Sequence, residues 1–196
     1  MSKIENTDLN LLLSELRGEI GGIIETWIFY RDHKIIVSHL STNNFEIDLK
    51  NRELNKFIRM KKRYEDEIIS RLSELAHKSY GKVNFYFTIR ALKKFDSEFK
   101  DYEDFITSHK IKARRDEYIS HKKMPQKNEI QRGEYHINYQ TIIKAIVRAI
   151  MLMKMIDNEV YGDITKLQWK QVRKLRYDFE LPLEANYKIL NYIRKI

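Results

Sequence analysis

Apolar residues recur at three- and four-residue steps over residues 9–37, at Leu9, Leu12, Leu13, Leu16, Ile20, Ile23, Ile24, Trp27 and Ile28. That spacing predicts an amphipathic helix with one face turned inward. Gly18, Gly21 and Gly22 lie inside it. Each glycine costs a helix interior about 1 kcal/mol relative to alanine, so three of them predict close approach of another helix, a kink, or a break. The polar run Ser41-Thr42-Asn43-Asn44 ahead of Phe45 reads as a loop, with Asn51 capping a second helix that reaches about Ser79 and is stopped by Gly81. Its apolar stripe is Leu54, Phe57, Ile58, the stem of Lys61, Tyr64, Ile68, Leu72, Leu75 and Ala76. Lys62, Arg63, Glu65, Asp66 and Glu67 fall on the wet side.

Residues 83–89, Val-Asn-Phe-Tyr-Phe-Thr-Ile, alternate in the manner of a strand. No second run of that kind exists to pair with it, and an unpaired strand is not stable, so the segment is read as the start of a third helix. A further helix is expected over residues 97–120, interrupted near His109. The polar run 122–133 around Pro125 reads as a loop. A buried helix follows over 139–161, then one over 165–180 and a last one after Pro182. The predicted fold is therefore all-α: an antiparallel helical bundle with its core over residues 9–160 and a helical C-terminal extension over 161–196, in one domain.

Composition agrees with long helices, since 196 residues contain only 6 Gly and 2 Pro. Cysteine is absent, which excludes disulfides, thiol catalysis and every cysteine-based zinc or iron–sulfur site. The opening residues carry no signal-peptide pattern, and a cytoplasmic protein is expected. The most apolar run, residues 145–156, contains Arg148 and Lys154 and falls far short of the roughly 20 apolar residues that a membrane span requires.

The net charge is +9, and its distribution is uneven. Residues 1–98 hold 17 Lys+Arg against 15 Asp+Glu, whereas residues 99–196 hold 20 against 13. Such an asymmetry points to an anionic partner, with nucleic acid ahead of membrane. Eight of the cations fall between His109 and Arg132.

Within that stretch lies Ala113-Arg114-Arg115-Asp116-Glu117-Tyr118-Ile119-Ser120-His121-Lys122-Lys123. A histidine titrating near neutrality, with permanent cations close by in sequence, is what RNA cleavage without metal needs. Arg115-Asp116, four intervening residues and His121 resemble the R-x(4–6)-H signature of the HEPN superfamily, in which a polar residue commonly follows the arginine. Leu16-Arg17-Gly18-Glu19-Ile20-Gly21, with Glu25 and Trp27, resembles the branch associated with phage abortive infection. The resemblance covers about residues 9–160. It implies a metal-independent endoribonuclease of a defence or toxin–antitoxin system, with no cofactor, that leaves a 2′,3′-cyclic phosphate. It assigns His121 to proton transfer, Arg115 to the phosphate and Asp116 to orienting one of them, with Arg114, Lys112, Lys122, Lys123 and Lys127 along the RNA path. It also implies a homodimer with the site at the interface, and a cognate antitoxin or regulatory protein.

Helical geometry complicates the choice of arginine. On one unbroken α-helix Arg114 lies about 20° from the face of His121, whereas Arg115 lies about 120° away. The family pattern favours Arg115, because Asp116 follows it. The competing reading is a non-catalytic helical module that holds nucleic acid or protein with the same basic face. His33, His39, His77, His109 and His136 show no metal-binding spacing and read as surface or capping residues, His109 being the reserve candidate for the site. Met151, Met153 and Met155 read as core filling, and Trp169 with its neighbouring cations reads as a basic helix whose indole packs inward or stacks on RNA.

Overall fold

The computed structural model describes residues 9–42, 47–78, 83–120 and 137–162. These residues are almost entirely helical, and no strand occurs among them. The chain is all-α. Six helices follow in order among the described residues: α1 (Leu9–Thr42), α2 (Ile47–Leu75), α3 (Phe85–Leu92), α4 (Asp96–Ser108), α5 (Ile111–Arg114) and α6 (Tyr139–Tyr161). The helices expected over 165–180 and after Pro182, the loop over 122–133 and the Gly81 stop lie outside the described residues.

The described residues form two compact units, one drawing on 9–24, 66–78, 83–120 and 137–162, the other on 25–42 and 47–65. In the first unit Leu13, Leu16, Ile20, Ile23 and Ile24 of α1 are buried at the spacing the sequence predicts. Ile68, Ile69, Leu72 and Leu75 of α2 join them, as do Phe85, Tyr102, Ile106, Ile142, Ile146, Met153 and Ile156. Full burial of each such aliphatic side chain contributes roughly 1.5–3 kcal/mol, so this apolar set is the main stabilising term of the unit.

The glycines of α1 do not break it. A Cβ at Gly18 or Gly21 would meet nothing within 4 Å, whereas one at Gly22 would come within 2.6 Å of Arg71 Nη1. Close approach is thus real at one glycine of the three. What approaches is a guanidinium, which also reaches Glu19 at 2.6 Å and Glu67 at 3.0 Å.

Helix α2 starts at Ile47, so Asn51 is an interior residue and not a cap. Asparagine costs a helix interior only a few tenths of a kcal/mol, less than an added turn of backbone hydrogen bonds returns. Ser41 and Thr42, expected in a loop, extend α1. Glu65 corrects the face assignment: it is buried and accepts a hydrogen bond from Tyr30 Oη at 3.0 Å within the second unit. Ile58 is exposed although its spacing placed it on the apolar stripe.

The strand-like segment is helical from Phe85. Asn84 is extended, and its side chain accepts from the Phe87 N–H, which starts α3 by satisfying an otherwise orphaned donor. Lys93 and Phe95 take left-handed backbone conformations and turn the chain into α4, whose first turn carries Asp96 and Glu98, favourable to the helix dipole. Helix α4 packs against α3, α5 and α6. Helix α6 spans the range the periodicity predicts, from the Asn138 cap to Gly162 at φ 61°. It is tied to α1 by Arg17, which donates to both oxygens of buried Asp157. No described helix is long and apolar enough to cross a membrane.

Candidate functional site

The predicted break near His109 is present and has an identifiable cause. Phe105, which accepts the His109 N–H at 3.2 Å, also lies 3.0 Å from the ring Nδ1 through its carbonyl. The same Nδ1 lies 3.1 Å from the Ser108 hydroxyl, so the ring is held over the last turn of α4 by two contacts. The imidazole stacks on the Phe105 ring at 4.0 Å, and the Arg148 guanidinium sits 4.5 Å from the centre of the same ring. His109 thus serves as the C-terminal stop of α4. Lys110 at φ 59° then turns the chain, and fully buried Ile111 anchors α5.

After four residues the helix widens. Residues Arg115–Ser120 form a π-helical turn, with hydrogen bonds running to the fifth residue instead of the fourth. Arg114 shares the face of His121 only on an unbroken α-helix, and the chain from Arg115 to Ser120 is not one. Turns of this kind recur at functional sites because they re-aim side chains at a cost in backbone geometry.

The two arginines have different surroundings. Arg114 Nη2 donates to Asp66 Oδ1 at 2.7 Å, so its charge is matched by a carboxylate from α2. Arg115 turns inward and is only 9% exposed. Its Nε lies 3.4 Å from Ser73 Oγ on α2 and 3.1 Å from Asp116 Oδ1. Its Nη2 is buried with no hydrogen-bond partner among the described residues. A buried donor left unmatched costs about 1–3 kcal/mol, more for a charged group, so an acceptor brought to this nitrogen would recover that cost.

Arg114, Arg115, Asp116 and Lys112 therefore stand together on α5 and its π turn, with Lys112 half-buried. His121, Lys122, Lys123 and Lys127 lie outside the described residues. Sequence reasoning missed two members of the site, Ser73 and Asp66. Ser73 had a usable signal: it is a small hydroxyl within the apolar stripe between Leu72 and Ala76, where a buried polar atom must find a partner. Asp66 had none, since a carboxylate on a wet helix face is ordinary. Among the described residues no three His, Asp or Glu side chains gather as metal ligands.

No family model, no curated protein and no solved structure matches this chain. The reading of the site accordingly rests on the chemistry of its own side chains.

Proposed function

We propose that the protein is a metal-independent endoribonuclease of the HEPN type, acting in phage defence or as the toxin of a toxin–antitoxin pair. The observation that carries this reading is the state of Arg115. A permanent cation sits at the start of a π-helical turn, braced by Ser73 and Asp116, with a terminal nitrogen that has no acceptor among the described residues. A phosphate oxygen is an acceptor of the right charge for it.

In the proposed reaction the ribose 2′-oxygen attacks phosphorus and the bond from phosphorus to the 5′-oxygen breaks. The products are a 2′,3′-cyclic phosphate and a 5′-hydroxyl. His121 takes the 2′-hydroxyl proton or protonates the leaving oxygen, and Arg115 stabilises the charge growing on the phosphoryl oxygens. Asp116 holds the guanidinium by its Nε, and the buried Nη2 meets a phosphate oxygen once substrate entry uncovers it. Arg114, held by Asp66 at 2.7 Å, stands beside Arg115 on the RNA path. DNA lacks the 2′-hydroxyl and is not cut. The proposal includes a homodimer with the motifs facing each other, RNA as substrate, a cytoplasmic location, and a cognate antitoxin or regulator.

A second reading is favoured by the same residue's burial. An arginine 9% exposed, bonded to Ser73, also suits a structural pin between α2 and α5 in a non-catalytic binding module. Cleavage of RNA in EDTA separates the two. The nuclease reading expects cutting by the wild type and its loss in Arg115→Ala and His121→Ala variants that melt at the wild-type temperature. The binding-module reading expects RNA to be held and left intact.

A further inference from the structure

The second unit carries a ladder of rings that the site described above does not use. Phe29 stacks on Tyr64 with ring centres 5.7 Å apart and planes 21° apart. His33 meets the same Tyr64 edge-on at 5.0 Å and lies 5.7 Å from Phe57. Residues 29 and 33 are one turn apart on α1, and residues 57 and 64 are two turns apart on α2, so each pair shares a helical face. His33 Nδ1 lies 2.8 Å from the Phe29 carbonyl, which fixes the imidazole in the row. Phe29 keeps 46% of its surface exposed, far more than a ring that only fills the seam between two helices.

Cations flank this row. Lys61 follows Phe57 by four residues and precedes Tyr64 by three, placing it on the ladder's face of α2. Lys34 follows His33 on α1. Partial burial, and then the like charge of Lys61, lower the Lys34 ammonium below its ordinary range. On the same stretch of α2, Arg59, Lys62 and Arg63 make no ion pair among the described residues, while the nearby acids Asp32 and Glu65 are bonded to Arg31 and Tyr30.

We infer that this ladder is a stacking platform for single-stranded nucleic acid, with bases on Phe29 and its neighbouring rings and the sugar-phosphate chain along Lys34 and Lys61. Every base has a π face, so rings beside cations bind single strands with little regard to sequence, and a duplex hides those faces. The inference is independent of the nuclease reading, because it concerns binding by residues outside the motif.

The test is fluorescence anisotropy with short labelled oligouridine and oligothymidine, and with a duplex of equal length. The full-length His121→Ala variant in EDTA serves as background, so that any cutting of the RNA strand is slow on the timescale of the measurement. Phe29→Ala is expected to weaken binding of both single strands about tenfold to a hundredfold, and Phe29→Trp to restore it. The Lys34→Gln/Lys61→Gln pair, a surface change that spares the rings, is expected to make the slope of log affinity against log salt shallower by about 1.4. The inference is overturned if Phe29→Ala binds as tightly as the background protein, if the duplex binds as well as the single strands, or if Phe29→Ala changes only the oligomeric mass. Loss of binding with RNA cleavage retained in the wild type would leave the nuclease reading standing on its own, and the converse holds.

Discussion

The pair formed by Arg17 and Asp157 yields a prediction whose sign follows from burial. The Asp157 carboxylate is 2% exposed and receives Arg17 Nη2 at 2.6 Å and Nε at 3.0 Å, whereas the Arg17 side chain is 34% exposed and lies against the Tyr161 ring at 4.7 Å. The hydrogen bond to Asp157 raises the Arg17 pKa above its ordinary value. A raised pKa contributes stability that is fully present below the unfolded value, so Arg17 keeps its charge and its contribution at every working pH. Arg17→Met keeps the apolar stem but strands a carboxylate in the interior, where an unmatched charge costs about 3–5 kcal/mol. Asp157→Asn leaves an arginine that can turn its charge to water and should cost about 1–2 kcal/mol. The melting temperature of a chain this size moves about 2–4 °C per kcal/mol, so Arg17→Met should fall by about 6–20 °C and Asp157→Asn by about a third of that. Urea and thermal unfolding of both variants, with Arg17→Met/Asp157→Leu beside them, measure it. The double variant should recover most of the loss. Equal losses in the two single variants, or a greater loss for Asp157→Asn, would refute the burial argument.

Two further predictions come from other parts of the first unit. Gly21→Ala should stabilise the protein by about 0.5–1 kcal/mol, because its new methyl meets open space, while Gly22→Ala should gain nothing, since it displaces Arg71 from Glu19; equal gains in denaturant midpoint would contradict the contact. Burial pushes the Tyr102 phenol well above its ordinary pKa of 10.0, and its hydroxyl donates to the Leu72 carbonyl at 2.8 Å. Above that pH the unfolded chain releases a proton that the folded chain retains, so stability falls as pH rises, by at most about 1.4 kcal/mol per pH unit for this group. Tyr102→Phe should be less stable at neutral pH yet show a shallower alkaline decline, and an unchanged slope from pH titration of unfolding would contradict it.

The helices were legible in the sequence because burial follows the 3.6-residue period, and the buried face of α1 comes out nearly residue for residue. The helical fate of residues 83–89 was also legible, through the absence of any partner strand and not through local propensity. Its immediate cause, the Asn84 cap, is a local signal that the strand-like alternation hid. Glu65 was misread because a charged residue in the middle of a basic, polar stretch says nothing of a tyrosine 35 positions earlier that donates to it. The candidate site was legible as a cluster of residue types. Its inner geometry was not, because the π turn at Arg115 and the contacts with Ser73 and Asp66 depend on how α5 meets α2, across more than 40 residues of chain. The aromatic ladder escaped for a related reason: Phe57 and Tyr64 were assigned to a buried stripe, and only the pairing of α1 with α2 leaves Phe29 beside them and open to solvent.

The central claim is tested most directly by incubating purified protein with end-labelled single-stranded RNA in EDTA and following cleavage for the wild type, Arg115→Ala and His121→Ala, with DNA of the same sequence as control. The account predicts that the wild type cuts RNA to fragments ending in a 2′,3′-cyclic phosphate and leaves DNA whole. Loss of His121 should slow cutting about 10²–10⁴-fold and loss of Arg115 about 10²–10³-fold. RNA left intact by the wild type, or cut at the wild-type rate by both variants, would contradict it.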